Sequence, residues 1–332
     1  MNGPVSFYKA GDTLEGMRVL QELGQGAAST VYLAQDPKTK QIWAVKHVHR
    51  STEKDERFLD QACLEYDAAS HFDHPAIRKI PKIHKVRTKL FTQLTDVFLV
   101  MEFTDGVSME KKRPKTYAEA LEIFLEVARA MRHMHERGWV HADMKPNNVM
   151  IAPGPIVKII DLGQSCKVGT VKTRIQGTPD YIAPEQVMRK PITPLTDVYN
   201  LGATMYWVLT GKNVPTPLNS SNENSLIDKV DPSLLPKPQA PCEIDPRCPQ
   251  KLNDLILQSV AIDPEDRPDA MSVVIDRLEL VLGQLRARKT DDDLTLLDPA
   301  ASGVRAAAKL DQRSAGSTSV MGVRINPSEQ AG

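Results

Sequence analysis

The sequence predicts an α+β fold in which a small sheet with one helix is followed by a mainly helical second half. Three observations carry this. The first hundred residues hold short apolar runs of strand length, bounded by glycines and by the Asp36-Pro37 turn. From about residue 117 the apolar residues recur at helical spacing instead. The length of 332 residues exceeds what one compact core usually holds, so about two domains are expected.

Taken in order, residues 18–23 and 29–35 read as strands flanking a glycine-containing turn, 41–48 as the next strand and 97–103 as a fourth. Between them, residues 53–71 place apolar side chains at 58, 59, 62, 66 and 69, a helical spacing, with Thr52 and Asp55 as the cap. Residues 118–137 form a helix with Leu121, Phe124, Leu125, Ala128 and Met131 on one stripe. Thr116 and Glu119 make its capping box and Gly138 its stop. Residues 196–210, ending at Gly211, and residues 252–261 and 270–286 are further helices. The proline-rich stretch 211–249 reads as a surface excursion with one short helix near 224–230. After about Arg288 few large apolar residues remain, so a disordered tail over 288–332 is expected.

Composition removes several function classes. Forty-two Lys and Arg balance forty-two Asp and Glu, so nothing marks a nucleic-acid partner, and 41% apolar with 25% charged residues is ordinary globular usage. Residues 1–16 lack a basic segment followed by an apolar stretch, and no window reaches the roughly 18 uninterrupted apolar residues of a membrane span. A soluble, cytoplasmic chain is expected. Four scattered cysteines give no disulfide framework, and a zinc site around Cys242 and Cys248 would lack ligands. His47 and His49 share one face of a strand, for which packing or solvent exposure is a simpler account than a metal.

The motifs that carry chemistry begin with Gly24-Gln25-Gly26, joining two strands by a turn that reads either as a phosphate cradle or as a plain tight hairpin. Lys46 lies in the next strand, where an inward ammonium needs a counter-charge and Glu65 is the candidate; a solvated strand edge is the alternative. His141-Ala142-Asp143-Met144-Lys145-Pro146-Asn147-Asn148 places a carboxylate, an ammonium and a carboxamide close together, although Asp and Asn also favour plain turns. Asp161-Leu162-Gly163 follows the apolar run 156–160. Asp143 for a proton, Asn148 and Asp161 for a divalent metal and Lys46 for phosphate oxygens are what in-line phosphoryl transfer requires.

In order and spacing these motifs resemble the eukaryotic-like serine/threonine protein kinases over residues 16–286. The resemblance implies a bilobal kinase-like fold: an N-lobe of a small antiparallel sheet with one helix, and a mainly helical C-lobe. It divides the chain into an N-terminal extension (1–15), N-lobe and hinge (16–104), C-lobe (105–287) and tail (288–332). It implies ATP and Mg²⁺, with Leu23, Gly24, Gly26, Val31, Ala44, Lys46, Glu65, Met101, Glu102, Thr104 and Met150 around the nucleotide. Asp143 would be the catalytic base, Lys145 the γ-phosphate contact, and Asn148 and Asp161 the metal ligands. Residues 177–185 resemble the segment that docks a peptide substrate, Glu185 would pair with Arg267, and Asp197 would anchor the catalytic loop.

Three positions depart from the family pattern. Ser29 replaces the third glycine of the nucleotide loop, and Leu162 stands where Phe is usual. Ala142 stands where an Arg usually receives an activation-segment phosphate, so that receptor is missing; Lys167, Lys172 and Arg174 offer weaker pairing to Ser165, Thr170, Thr173 or Thr178. Cys166 reads either as a redox-sensitive thiol beside Lys167 or as an inert loop cysteine. The expected function is phosphorylation of Ser or Thr hydroxyls on protein substrates without need for activation-loop phosphorylation. A regulatory protein on the tail or the activation segment is a further expected partner. A pseudokinase scaffold would need a missing catalytic group, and a small-molecule phosphotransferase would lack Ala183-Pro184-Glu185.

Overall fold

A computed structural model describes residues 7–26, 28–88, 93–154, 156–216, 235–287 and Leu296. Six antiparallel strands, β1 (Thr13–Leu14), β2 (Met17–Gln25), β3 (Ser29–Gln35), β4 (Ile42–His49), β5 (Lys82–Arg87) and β6 (Leu94–Glu102), form one sheet in the order β1-β2-β3-β4-β6-β5. Strand alternation sorts its side chains onto two faces. Tyr32, Ala34, Val45, Phe98 and Val100 close with Leu14, Met17 and Val19 into an apolar cluster on one face. Val31, Leu33, Ala44, Lys46, Leu99 and Met101, at the intervening positions, belong to the other. Residues 7–15 are tied to the sheet, since β1 pairs with β2 and the Gly11 and Val19 amides exchange bonds with Val19 and Asp12 at 2.9 Å.

Helix α1 (Glu56–Ser70) follows a 3-10 turn over Glu53–Asp55. The Asp55 carboxylate accepts from the Thr52 amide at 2.7 Å and hydroxyl at 2.9 Å, so the expected pair does start this segment. Its buried face is Leu59, Ala62, Glu65, Ala68 and Ala69, with a carboxylate in the middle. Strands β7 (Val107–Ser108), β9 (Val149–Ala152) and β10 (Ile156–Ile159) form a second sheet, and Ala76–Arg78 bonds to β10 through Ile159 on both of its backbone groups, at 2.7 and 3.0 Å. Strand β5 has no counterpart in the sequence reading. It is a mostly exposed edge strand, so no buried face imposes alternation on it.

The helical half is built from α2 (Tyr117–His135), α3 (Pro184–Val187), α4 (Pro194–Thr210), α5 (Pro241–Ile244), α6 (Gln250–Ser259) and α7 (Met271–Ala287), with a two-stranded ribbon of β8 (Trp139–Val140) and β11 (Cys166–Lys167). Thr116 caps α2 by accepting from the Glu119 amide at 3.1 Å, while the Glu119 carboxylate reaches the Lys115 amide instead of completing a box with Thr116. Helix α2 packs on α7 and α4, and α4 packs on α6. There a Cβ on Gly202 would meet the Ser259 Cβ at 2.6 Å, so the helices approach through glycine. Gly211 ends α4 in the left-handed conformation.

The described residues fall into two compact units, 7–111 with 150–163, and 112–149 with 164–287 and Leu296. The expected helix near 224–230 and, apart from Leu296, the expected tail lie outside the described residues. Among the described residues no helix is long and apolar enough to cross a membrane.

Candidate active site

The sequence-predicted residues fall into two groups, one in each unit. In the first, antiparallel register sets Gly24 opposite Val31, Val31 opposite Lys46 and Lys46 opposite Leu99, with Ala44 opposite Met101. Leu23, Val31, Ala44, Met101 and Met150 are buried, and Gly26 closes the turn by donating to the Ser29 carbonyl at 2.7 Å. Glu102 accepts from Lys158 Nζ at 2.7 Å and Thr104 is half-buried. Lys46 Nζ donates to Glu65 Oε2 at 2.7 Å, so the inward ammonium has the counter-charge its strand position demanded. Burial pulls the Lys46 ammonium down, but Glu65 and Asp161 outweigh it and its pKa ends above the ordinary lysine value. Asp161 accepts from the Gly163 amide at 2.9 Å, and Leu162 between them is buried.

Sequence reasoning missed Arg78. Its guanidinium is buried and lies 3.5 Å from Glu65 Oε1, giving the carboxylate a second cation. Burial lowers the Arg78 pKa against the opposing pull of Glu65, Asp161 and Glu102. The only signal was a charged residue among the apolar positions of Ala76-Ile77-Arg78-Lys79-Ile80.

In the second unit, Asp197 at the start of α4 accepts from the His141 amide at 2.9 Å, the Ala142 amide at 2.8 Å and the His135 ring at 2.7 Å. These bonds fix the loop that carries Asp143, and Ala142 takes a left-handed φ of 61° within it. Asp143 Oδ1 accepts from the Thr178 amide at 3.0 Å and hydroxyl at 2.9 Å, Oδ2 lies 2.9 Å from Lys145 Nζ, and Lys145 in turn donates to Thr178 Oγ1 at 2.7 Å. All three side chains therefore form a closed ring of charge-assisted bonds. Asn148 donates its amide hydrogens to the Asp143 carbonyl at 2.8 Å, which leaves its oxygen as the acceptor end.

The segment between Asp161 and Glu185 is held by strand pairing, an apolar cluster and backbone hydrogen bonds. Cys166 and Lys167 pair with Val140 and Trp139, and Val140, Ala142, Cys166 and Ile192 close into an apolar cluster where the resemblance implies an Arg receptor. Gly169 and Thr170 exchange backbone bonds with Ile192 at 2.7 and 2.9 Å. Lys167 Nζ sits 4.2 Å from the Trp139 ring centroid, and Lys172 donates to the Gln164 carbonyl at 2.9 Å. Ser165 is buried, and the Thr170 hydroxyl donates to the Lys167 carbonyl. Cys166 is buried and burial pushes its thiol pKa up, which selects the inert reading of this cysteine. At the far end, Arg267 pairs with both oxygens of Glu185 at 2.8 and 2.9 Å, as expected.

Asn148 in one unit and Asp161 in the other each carry a hard oxygen, an amide oxygen and a carboxylate, and donors of that kind suit Mg²⁺.

Comparison with known proteins agrees with this geometry. The chain is 27% identical over 293 residues to a probable serine/threonine-protein kinase of Clostridium acetobutylicum, covering 85% of this chain and 42% of that protein. It is 28% identical over 258 residues to the serine/threonine-protein kinase PknB of Mycobacterium tuberculosis, covering 74% and 39%, and 26% identical over 261 residues to a probable PknB of Lactococcus lactis, covering 75% and 39%. The chain thus spans about two fifths of the length of these relatives. A family model described as the protein kinase domain matches residues 17–277, and on that match the chain belongs to the protein kinase family.

Proposed function

We propose that this chain transfers the γ-phosphoryl group of ATP to Ser or Thr hydroxyls of protein substrates through a kinase domain at residues 16–287, with Asp143 as catalytic base. The observation that carries this reading is the ring formed by Asp143, Lys145 and Thr178, which holds the Asp143 carboxyl group in one orientation beside the Lys145 side chain. Asp143 takes the proton of the attacking hydroxyl, and Lys145 meets the charge of the transferred group. Lys46, held by Glu65, orients phosphate oxygens. Leu23, Val31, Ala44, Met101 and Met150 receive the adenine ring, with the backbone of Glu102 and Thr104 as its polar edge, and Gly24 and Gly26 let the turn approach phosphate. Asn148 and Asp161 would hold Mg²⁺, which would supply positive charge against the phosphates. The names of the relatives support the Ser/Thr class and protein substrates. The apolar cluster around Ala142 supports a segment that is active without phosphorylation.

A radiolabelled-ATP assay on a generic basic protein tests this. Asp143→Ala and Asp161→Ala should abolish incorporation in chains whose far-UV spectrum is still that of the folded protein, although stranding the buried Lys145 in the first lowers its melting temperature. Undiminished incorporation in both variants would sink the assignment.

A further inference from the structure

His47 and His49 project from the same face of β4, the face opposite Lys46, and the register places Asp96 of β6 directly across from His49. His47 Nε2 lies 2.8 Å and His49 Nδ1 2.7 Å from a single oxygen, Asp96 Oδ1. The ligand atoms of all three side chains lie within 4.8 Å of one another. The sequence showed only the two histidines, and packing sufficed to explain them; the third group comes from 47 residues away and converges on the same point.

We propose that His47, His49 and Asp96 bind a divalent transition metal of the zinc class, independently of the phosphoryl-transfer site. Two imidazole nitrogens and a carboxylate oxygen are a ligand set for zinc and its neighbours, and a poor one for Mg²⁺ or Ca²⁺, which take oxygen donors. The set is pre-organised. His47 is buried and its ring stacks on Phe98 at 4.3 Å and 8°, which fixes the direction of Nε2. Phe7 lies over both imidazoles, with centroids 5.0 and 4.8 Å away, and its amide donates to the Tyr32 hydroxyl. Glu15, which pairs with His84 at 3.3 Å, and Asp12 add negative charge to the same neighbourhood.

Metal bonds of about 2.0–2.1 Å in a tetrahedral site put neighbouring ligand atoms roughly 3.3 Å apart, so the rings must withdraw from the carboxylate by about 0.6 Å, while the two ring nitrogens, now within 4.8 Å of each other, settle to the same spacing. His49 and Asp96, both partly exposed, can supply that. Each ring then turns its lone pair to the metal and carries its proton on the far nitrogen. Water completes the coordination. The metal would clip β4 to β6 beneath the Phe7–Tyr8 segment.

The test titrates the chelator-treated full chain with Zn²⁺ by calorimetry and with Co²⁺ by visible absorption. The expected result is one equivalent that raises the melting temperature and a cobalt spectrum without a thiolate charge-transfer band. His49→Ala, at a partly exposed side chain, and Asp96→Asn should each weaken that equivalent at least tenfold. No uptake by the wild-type chain, a thiolate band, or uptake unchanged in both variants would overturn the proposal.

Discussion

Glu65 faces Arg78 across 3.5 Å with one carboxylate oxygen while the other accepts from Lys46 at 2.7 Å, so a single buried anion balances two buried cations. A buried pair contributes little net stability against an apolar replacement, but removing one partner leaves an uncompensated charge in a low dielectric.

Glu65→Gln should therefore cost about 3–5 kcal/mol in urea unfolding, since it strands both Lys46 and Arg78. Adding Arg78→Met to that variant should recover part of the loss, with a coupling of about 0.5–3 kcal/mol. The raised Lys46 pKa sets the sign of the pH dependence. A folded-state pKa above the unfolded value gives stability that is fully present below the ordinary lysine value of about 10.5 and is lost as pH rises through the raised one. The gap between wild type and Glu65→Gln should thus stay flat from about pH 6 to 9. Strictly additive losses in the double variant would separate Arg78 from this network.

How much of this was legible follows from where each signal lies. Helix α2 carried its own cap at Thr116, a continuous apolar stripe and the stop at Gly138, all within one segment. Lys46 was legible because a charged residue in an apolar strand is a local anomaly, and Glu65 because that ammonium needs a counter-charge and the resemblance sets one in the following helix. Arg78 and Asp96 were not, because each has its role only through a partner that the fold brings from elsewhere, Glu65 and the two β4 histidines. Strand β5 offered no buried face to leave a period in its sequence. Ala142 announced a missing receptor, but the cluster filling its place needed Ile192 from 50 positions on.

Arg267 uses its whole guanidinium: two bonds to Glu185, and others to the carbonyls of Leu195, Ala261 and Ile262. Lysine keeps the charge but not the fork. Arg267→Lys should lower stability by about 1–3 kcal/mol through the carbonyls it leaves unsatisfied, a melting-temperature drop of roughly 3 °C or more in a domain of this size. A drop under about 2 °C would show that the charge alone suffices.

Cysteine reactivity follows burial. Cys166 and Cys248 are buried with raised thiol pKa values, Cys248 pushed up to about 12, whereas Cys63 and Cys242 are partly exposed. Because the thiolate is the nucleophile, alkylation of the native chain at mildly alkaline pH should reach Cys63 and Cys242 first, and Cys166 and Cys248 only on unfolding. Peptide mapping of a timed iodoacetamide reaction reads this. Labelling of Cys166 as fast as Cys63 would restore the redox-sensitive reading of that thiol.

Ala142 bears on activation. The apolar cluster it forms with Val140, Cys166 and Ile192, and the backbone bonds from Ile192 to Gly169 and Thr170, hold the chain around residues 166–170. Two of the three cations nearby are engaged, Lys167 on the Trp139 ring and Lys172 on the Gln164 carbonyl. Phosphatase-treated protein should keep most of its initial rate, and the combined change Ser165→Ala, Thr170→Ala, Thr173→Ala should cost less than about tenfold, or about 1.4 kcal/mol of barrier. Thr178 is kept, because its hydroxyl bonds to Asp143 and its loss would disturb that carboxylate. Ile192→Ala should instead remove about 2–5 kcal/mol of packing and lower the rate even in unphosphorylated protein. A hundredfold fall on dephosphorylation, restored by preincubation with ATP, would mean that Lys167, Lys172 or Arg174 leaves its present place to receive a phosphate and that the cluster is not what holds the active segment.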